Sequence, residues 1–202
     1  MMLNKIMHFK AFLIPVVFFI VLALIASFDA PDSFSWYQYP LSTLGAQAFD
    51  NAWLMNAAWM GFGLLVLLIA AAYHQKEDLP QALTFPIIVF GICIILLGVW
   101  RYDNIFEVVE IDFDEVEDHL IFYAVALISL TLSIAFHALL SKEKVMRNIH
   151  IVYAGLMIIM MVLLVTVTKY SGLLERMTWF LIFIWLVCLF GRVNSDVNIK
   201  RF

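Results

Sequence analysis

Leu120–Leu140, LIFYAVALISLTLSIAFHALL, is a run of 21 residues in which His137 is the only side chain able to carry charge near neutral pH. At about 1.5 Å per residue such a helix is about 30 Å long, the thickness of the hydrocarbon core of a bilayer. Five further runs have the same character: Ala11–Phe28, Ala52–Tyr73, Ala82–Trp100, Ile149–Thr168 and Met177–Val193. The chain is 64% hydrophobic and 14% charged, with mean hydropathy +0.96. A water-soluble fold of 202 residues could not hide that much apolar surface, so the solvent of this chain is lipid. Helices satisfy their own backbone groups, as lipid requires, and no ten-residue alternating pattern suggests a β-barrel. The sequence predicts an all-α integral membrane protein, one domain over residues 1–202, built as a bundle of six transmembrane helices with the lipid bilayer as its first partner.

Orientation follows from lysine and arginine. With the N-terminus in the cytoplasm, the inner segments hold Lys5, Lys10, Lys76, Lys142, Lys144, Arg147, Arg192, Lys200 and Arg201, nine residues against Arg101, Lys169 and Arg176 outside. That bias puts both termini in the cytoplasm and the protein in a bacterial-type inner (plasma) membrane. The first run is longer than a usual signal-peptide core, and Ala26-Ser27-Phe28-Asp29-Ala30 is a poor cleavage site, so it reads as a retained helix. Cys93 and Cys188 lie inside spans and read as buried apolar thiols rather than a disulfide. No basic tract suits nucleic acid.

Between the third and fourth spans the chemistry changes abruptly. Asp103, Glu107, Glu110, Asp112, Asp114, Glu115, Glu117 and Asp118 supply 8 of the 16 acidic residues. Carboxylates at this density attract hard cations, but no Asp-x-Asp-x-Asp-Gly calcium loop is present, and a solvated acidic loop is the simpler reading. The loop before the second span, 29–51, is aromatic, with Phe34, Trp36, Tyr37 and Tyr39. These rings form an interfacial belt or a lid over an outward pocket, and Trp36 and Tyr39 are candidate ligand contacts. Pro86 can kink the third span, while Gly91 and Gly98 allow close helix approach.

His119 opens the fourth span and can act as base, metal ligand or interfacial hydrogen-bonding group, with Glu115 one turn away. His137 is eighteen residues further on, about 27 Å at helical rise, and belongs to the other end with His8, His74 and His150. Glu175 and Arg176 open the sixth span as an ion-pairing group, or as a catalytic acid and an anion site. Ser42 is a turn hydroxyl or a nucleophile, though no Gly-x-Ser-x-Gly elbow surrounds it. Asn56 reads as interhelical glue. In this topology Ser42, Asp103, His119, Glu175 and Arg176 all fall at the outer end of the bundle.

The order of these features resembles the domain-of-unknown-function 998 family of multi-pass membrane proteins. The resemblance rests on Tyr39-Pro40-Leu41-Ser42 with Leu44-Gly45, on Gly98-Val99-Trp100-Arg101-Tyr102-Asp103, and on His119 and Leu174-Glu175-Arg176. The second motif looks like the family's Gly-x-Phe-Pro-x-Asp pattern, with Trp100 and Arg101 in place of the aromatic residue and proline. It implies six helices and no established reaction. The Ser, Asp and His set is also similar, more distantly, to membrane hydrolases of the ceramidase and adiponectin-receptor superfamily. Those resemble zinc amidases that use several histidines, and only His119 is suitably placed here, so cofactor and metal content stay open. Two functions are expected: an outward polar site binding a lipid, small ligand or partner, or a lipid hydrolase or transferase using Ser42, Asp103, His119 and Glu175. A small transporter finds little support, because few ionisable residues lie at mid-membrane depth.

Overall fold

The computed structural model describes residues 2–47, 50–75, 80–103 and 112–190, with side chains from residue 11 onward. The helices are α1 (Met2–Phe28), α2 (Ala52–Gln75), α3 (Gln81–Val99), α4 (Phe113–Leu140), α5 (Lys144–Thr166) and α6 (Ser171–Ile184). A short 3-10 helix, Leu41–Gly45, lies in the loop after α1, and a π-helical segment, Trp185–Leu189, continues α6. Six segments are long and apolar enough to cross a membrane, as the sequence predicts. Glu107 and Glu110 of the acidic stretch lie outside the described residues, as do Lys76, Arg192, Lys200, Arg201 and the expected end of the last span at Val193.

Four helices begin well before their apolar runs, α1 among them at Met2 rather than Ala11. Hydropathy marks depth in the membrane, whereas a helix starts where its first amides find acceptors. In α4 the acceptor is the Asp112 carboxylate, which takes the Asp114 and Glu115 amides at 3.1 Å each. An N-cap aspartate therefore carries the helix seven residues beyond Leu120 and into the acidic stretch. α5 starts at Lys144 rather than Ile149, and α6 at Ser171 rather than Met177. Glu175 and Arg176 consequently sit inside the second turn of α6 instead of opening it.

Each helix packs on its neighbour in sequence, and the segment after α6 returns to α1. Along α1 the buried residues Phe12, Val16, Phe19, Ala23 and Ala26 recur every three or four positions, one helical face turned to the bundle. An aromatic hub joins α1, α2 and α6: Phe19 lies 4.8 Å from Trp59 and 5.1 Å from Trp179, and Phe62 lies 5.7 Å from Trp179, between ring centroids. The opposite face of α5 exposes Ile151, Val152, Ile159 and Val165, side chains suited to lipid. Cys93 is buried, but Cys188 is exposed on the bundle surface, because the π-helical segment turns it outward; neither forms a disulfide.

Gly91 and Gly98 line close helix contacts as expected, and Gly63 joins them. A Cβ on Gly63 would meet the Gly91 carbonyl at 2.6 Å and the Ile95 amide at 2.8 Å, both backbone atoms unable to swing aside. Among the described residues, a Cβ on Gly155 of α5 meets nothing within 4 Å. Gly63→Leu should therefore cost about 1–3 kcal/mol by forcing α2 from α3. Gly155→Ala should gain about 0.5–1 kcal/mol by stiffening an open helix position. Thermal unfolding in detergent reads both; a wild-type midpoint for Gly63→Leu contradicts the backbone contact.

Candidate functional site

Two helix starts cap each other at the bundle end that carries the 29–51 loop. At α6 the Gly172 amide donates to the Gln38 carbonyl at 3.2 Å, the Leu173 amide to Tyr37 at 3.0 Å, and the Ser171 hydroxyl to Gln38 at 2.6 Å. Gly172 is needed for this approach, since a Cβ there would lie 2.3 Å from the Tyr39 carbonyl oxygen. One turn later the Glu175 carboxylate points back at the 3-10 helix. Its Oε2 accepts the Leu41 amide, and the Ser42 amide faces it as well. The loop thus supplies acceptors to α6, and α6 supplies an acceptor to the loop.

This clamp holds Ser42 against α4. The Ser42 Oγ lies 3.2 Å from His119 Nε2 and 3.4 Å from Glu175 Oε1. His119 Nδ1 lies 2.6 Å from the Trp100 carbonyl at the end of α3. A carbonyl only accepts, so Nδ1 carries the proton in the neutral ring and Nε2 presents its lone pair to Ser42; the tautomer is assigned from these partners. The single Ser42 hydroxyl proton serves one acceptor at a time, and His119 is the nearer. Both residues are buried, His119 at 2% and Ser42 at 5% exposure. Tyr102 packs on the His119 ring at 5.5 Å. Burial, then the Glu175 and Asp103 charges, push its phenol above the ordinary tyrosine range, so Tyr102 stays protonated.

Beside this cluster a cavity of about 640 Å³ runs between α4 and α5. Ser42, Tyr102, His119, Tyr123 and Glu175 stand at one end, and Ala124, Leu127, Ile158, Met161 and Val165 form apolar wall. It forms where α5 separates from the bundle, only 17% of its apolar window being buried. The Tyr123 hydroxyl is buried and has no hydrogen-bond partner among the described residues.

Ser42, His119 and Glu175 therefore come together, while other candidates lie elsewhere. No hydrogen bond joins half-buried Asp103 to any of the three among the described residues; it acts on the cluster only through its charge near Tyr102. Glu115 does not pair with His119. Its carboxylate accepts the Arg101 amide at 2.9 Å and the Arg101 guanidinium at 3.0 and 3.3 Å. Arg176 donates to the Tyr39 and Gly172 carbonyls at 3.0 and 2.9 Å and lies over the Phe34 ring. It lines a separate groove of about 260 Å³ against α1. Trp36 is exposed and edges Tyr37, and Tyr39 tilts against Phe34; neither lines the larger cavity. Asn56 is buried with its Oδ1 against Gly45.

Sequence reasoning did not single out Gln47, Tyr102 or Tyr123. Gln47 seals the site: its amide donates to the Tyr102 carbonyl at 3.0 Å, and its side chain exchanges two 2.9 Å bonds with the Asp112 backbone. Nothing in a lone glutamine signals that role. Tyr123 carried a signal, since it follows His119 by four residues and so shares its helix face. Among the described residues no group of three His, Cys, Asp or Glu side chains is placed to hold a metal ion. His137 and His150 pair at the far end of α4, 5.4 Å between ring centroids, as the spacing from His119 requires.

A family model described as protein of unknown function (DUF998) matches residues 13–192. No curated protein and no solved structure matches the chain.

The mutual capping makes Glu175 a test of the site's support. Glu175→Ala strands the buried Leu41 amide and should cost about 1–3 kcal/mol, while Glu175→Gln keeps an acceptor oxygen and should cost less. Denaturant unfolding in detergent, with hydrogen exchange at the Leu41 amide, separates the two variants. Equal stability of both would mean the carboxyl group does not cap the loop.

Proposed function

The chain belongs to the DUF998 family of proteins of unknown function, and because that family brings no reaction with it, we propose from the site itself that this multi-pass membrane protein binds a single-chain amphiphile. The observation that carries this reading is the cavity between α4 and α5, aliphatic along its length and polar at one end. Its volume of about 640 Å³ suits a lipid-sized ligand, within the roughly 300–1,000 Å³ of ordinary ligand pockets. Leu120, Ile158 and Val162 on its walls are exposed to the surrounding lipid, so an acyl tail enters sideways from the bilayer while the head stops at Ser42 and His119. The lysine and arginine bias supports a plasma membrane with this end outward. The acidic residues near the start of α4 are cap and cover in this reading: Asp112 caps the helix and Glu115 holds Arg101. Ala124→Phe, which fills the cavity and leaves the polar cluster intact, should reduce the amphiphile retained on purification roughly tenfold by mass spectrometry. Unchanged retention in the folded variant would sink the proposal.

The 3.2 Å approach of Ser42 to His119 favours a second reading, acyl transfer from an ester or amide amphiphile. Ser42 Oγ would form a bond to the acyl carbon as its proton passes to His119 Nε2. The bond from that carbon to the leaving alcohol or amine would then break, and the leaving group would collect the proton from His119. Trp100, through its carbonyl on Nδ1, would orient the ring as a carboxylate does in a Ser-His-Asp triad, with a neutral acceptor in place of a charged one. Asp103 is not required. The Leu41 amide, already committed to Glu175, is no oxyanion donor, which weakens catalysis relative to binding. A fluorophosphonate probe should leave an adduct on Ser42 that disappears in His119→Ala. A folded wild-type protein that stays unlabelled at saturating probe leaves binding as the function.

A further inference from the structure

The polar end of the cavity is unusual for a lipid site in what surrounds it. Its side chains include two phenols, a hydroxyl, an imidazole and a carboxyl, from Tyr102, Tyr123, Ser42, His119 and Glu175, while the Thr166 and Ser171 hydroxyls nearby already donate to the Val162 and Gln38 carbonyls. Among the described residues no lysine or arginine lines it. The neighbouring cations are committed elsewhere. Arg101 forks onto Glu115, and the Arg176 guanidinium donates to the Tyr39 and Gly172 carbonyls and lines the separate groove, so only its charge reaches Glu175. The Lys169 ammonium lies over the Tyr170 ring, 5.5 Å from its centroid. A phosphate head entering here would give up its water beside a carboxyl group with no guanidinium or ammonium to receive it.

The same end does offer partners to an uncharged head. Tyr123 lines the same cavity one helical turn below His119 on the same face, and its buried hydroxyl is a donor with no acceptor among the described residues. A buried polar atom left unpaired is costly, and a ligand oxygen would relieve it. When the Ser42 proton turns from His119 Nε2 to Glu175 Oε1, 3.4 Å away, the imidazole is left as a free acceptor, and Ser42 Oγ can accept as well. Together they match a head with a carbonyl or hydroxyl oxygen for Tyr123 and an O–H or N–H for the imidazole.

We infer that the amphiphile of this site is phosphate-free, with an uncharged ester, amide or hydroxyl head whose oxygen is held by Tyr123. The inference rests on the binding reading above and names the class of ligand within it. Tyr123 is then the residue that sets head specificity, while the α4–α5 wall accepts the tail without regard to the head.

The experiment compares a monoacylglycerol with the lysophosphatidic acid of the same acyl chain, titrated separately into the purified protein in nanodiscs of zwitterionic lipid. Binding counts only where Ala124→Phe abolishes it, which excludes lipid held in the groove beside Arg176. The wild-type protein should bind the monoacylglycerol at least roughly tenfold more tightly than the phosphate lipid. Tyr123→Phe, checked for folding by its unfolding midpoint, should lose roughly fivefold to tenfold in monoacylglycerol affinity, as one neutral hydrogen bond warrants, with no loss for the phosphate lipid. Equal or tighter binding of lysophosphatidic acid in the cavity overturns the phosphate-free head and leaves the amphiphile reading standing. Unchanged monoacylglycerol affinity in Tyr123→Phe overturns the role of Tyr123. If neither lipid binds in a manner sensitive to Ala124→Phe, the amphiphile reading itself fails.

Discussion

In lipid a helix start cannot leave its amides to water, and this constraint organises the end of the molecule that carries Ser42. The first amides of α6 go to the carbonyls of Tyr37 and Gln38, and Glu175 one turn on returns an acceptor to Leu41. Neither partner is satisfied alone. Without α6 the 3-10 helix would bury an unpaired amide; without the loop α6 would expose its own. The aromatic loop is therefore part of the bundle. Ser42, the second residue of the short helix, is positioned as a consequence of that exchange.

A second end-of-helix problem positions its partner. The chain leaves α3 at Val99, and the Trp100 carbonyl, beyond the helix, takes the proton on His119 Nδ1. That bond fixes the ring so that Nε2 faces Ser42. Gln47 then ties the 3-10 helix, the exit of α3 and the entry to α4 into one seam. Loops that elsewhere would carry variable surface are here held by buried side chains, which places a rigid polar cluster at the mouth of a cavity in contact with lipid.

Six spans were legible because hydropathy over about 20 residues reports the bilayer directly. The convergence of Ser42, His119 and Glu175 at one end was legible from topology, since alternate loops share a face of the membrane. What was not legible depended on partners far apart in sequence. Glu175 looked like the opening of a span because charge marks the interface, yet its helix starts at Ser171 on carbonyls 133 residues away. Glu115 and His119 share a helix face, but Arg101 outcompetes the histidine by offering a charge and an amide together. Tyr123 was hidden by its surroundings: in an apolar run a tyrosine reads as an aromatic ring, and only the empty space beside it makes the hydroxyl matter. Asp103 shared the motif but not the cluster: among the described residues it makes no hydrogen bond to Ser42, His119 or Glu175.

The same buried hydrogen bonds bear on whether a polar solute could pass through. His119 and the His137–His150 pair are buried clusters at opposite ends of α4, and Leu127, Leu130 and Ile134 between them are at most 4% exposed. Of the intervening hydroxyls, Thr131 is committed to the Leu127 carbonyl and Ser133 to the Leu83 carbonyl. A solute leaving the Ser42 end would exchange water or polar partners for close-packed aliphatic side chains over most of the membrane's thickness. An acyl tail meets the opposite situation, since the α4–α5 cavity replaces lipid with aliphatic wall at little change in environment. The physical chemistry thus separates the two kinds of ligand: it opposes passage of a polar solute across the bundle and accommodates an amphiphile that stays at one end with its tail along the helices.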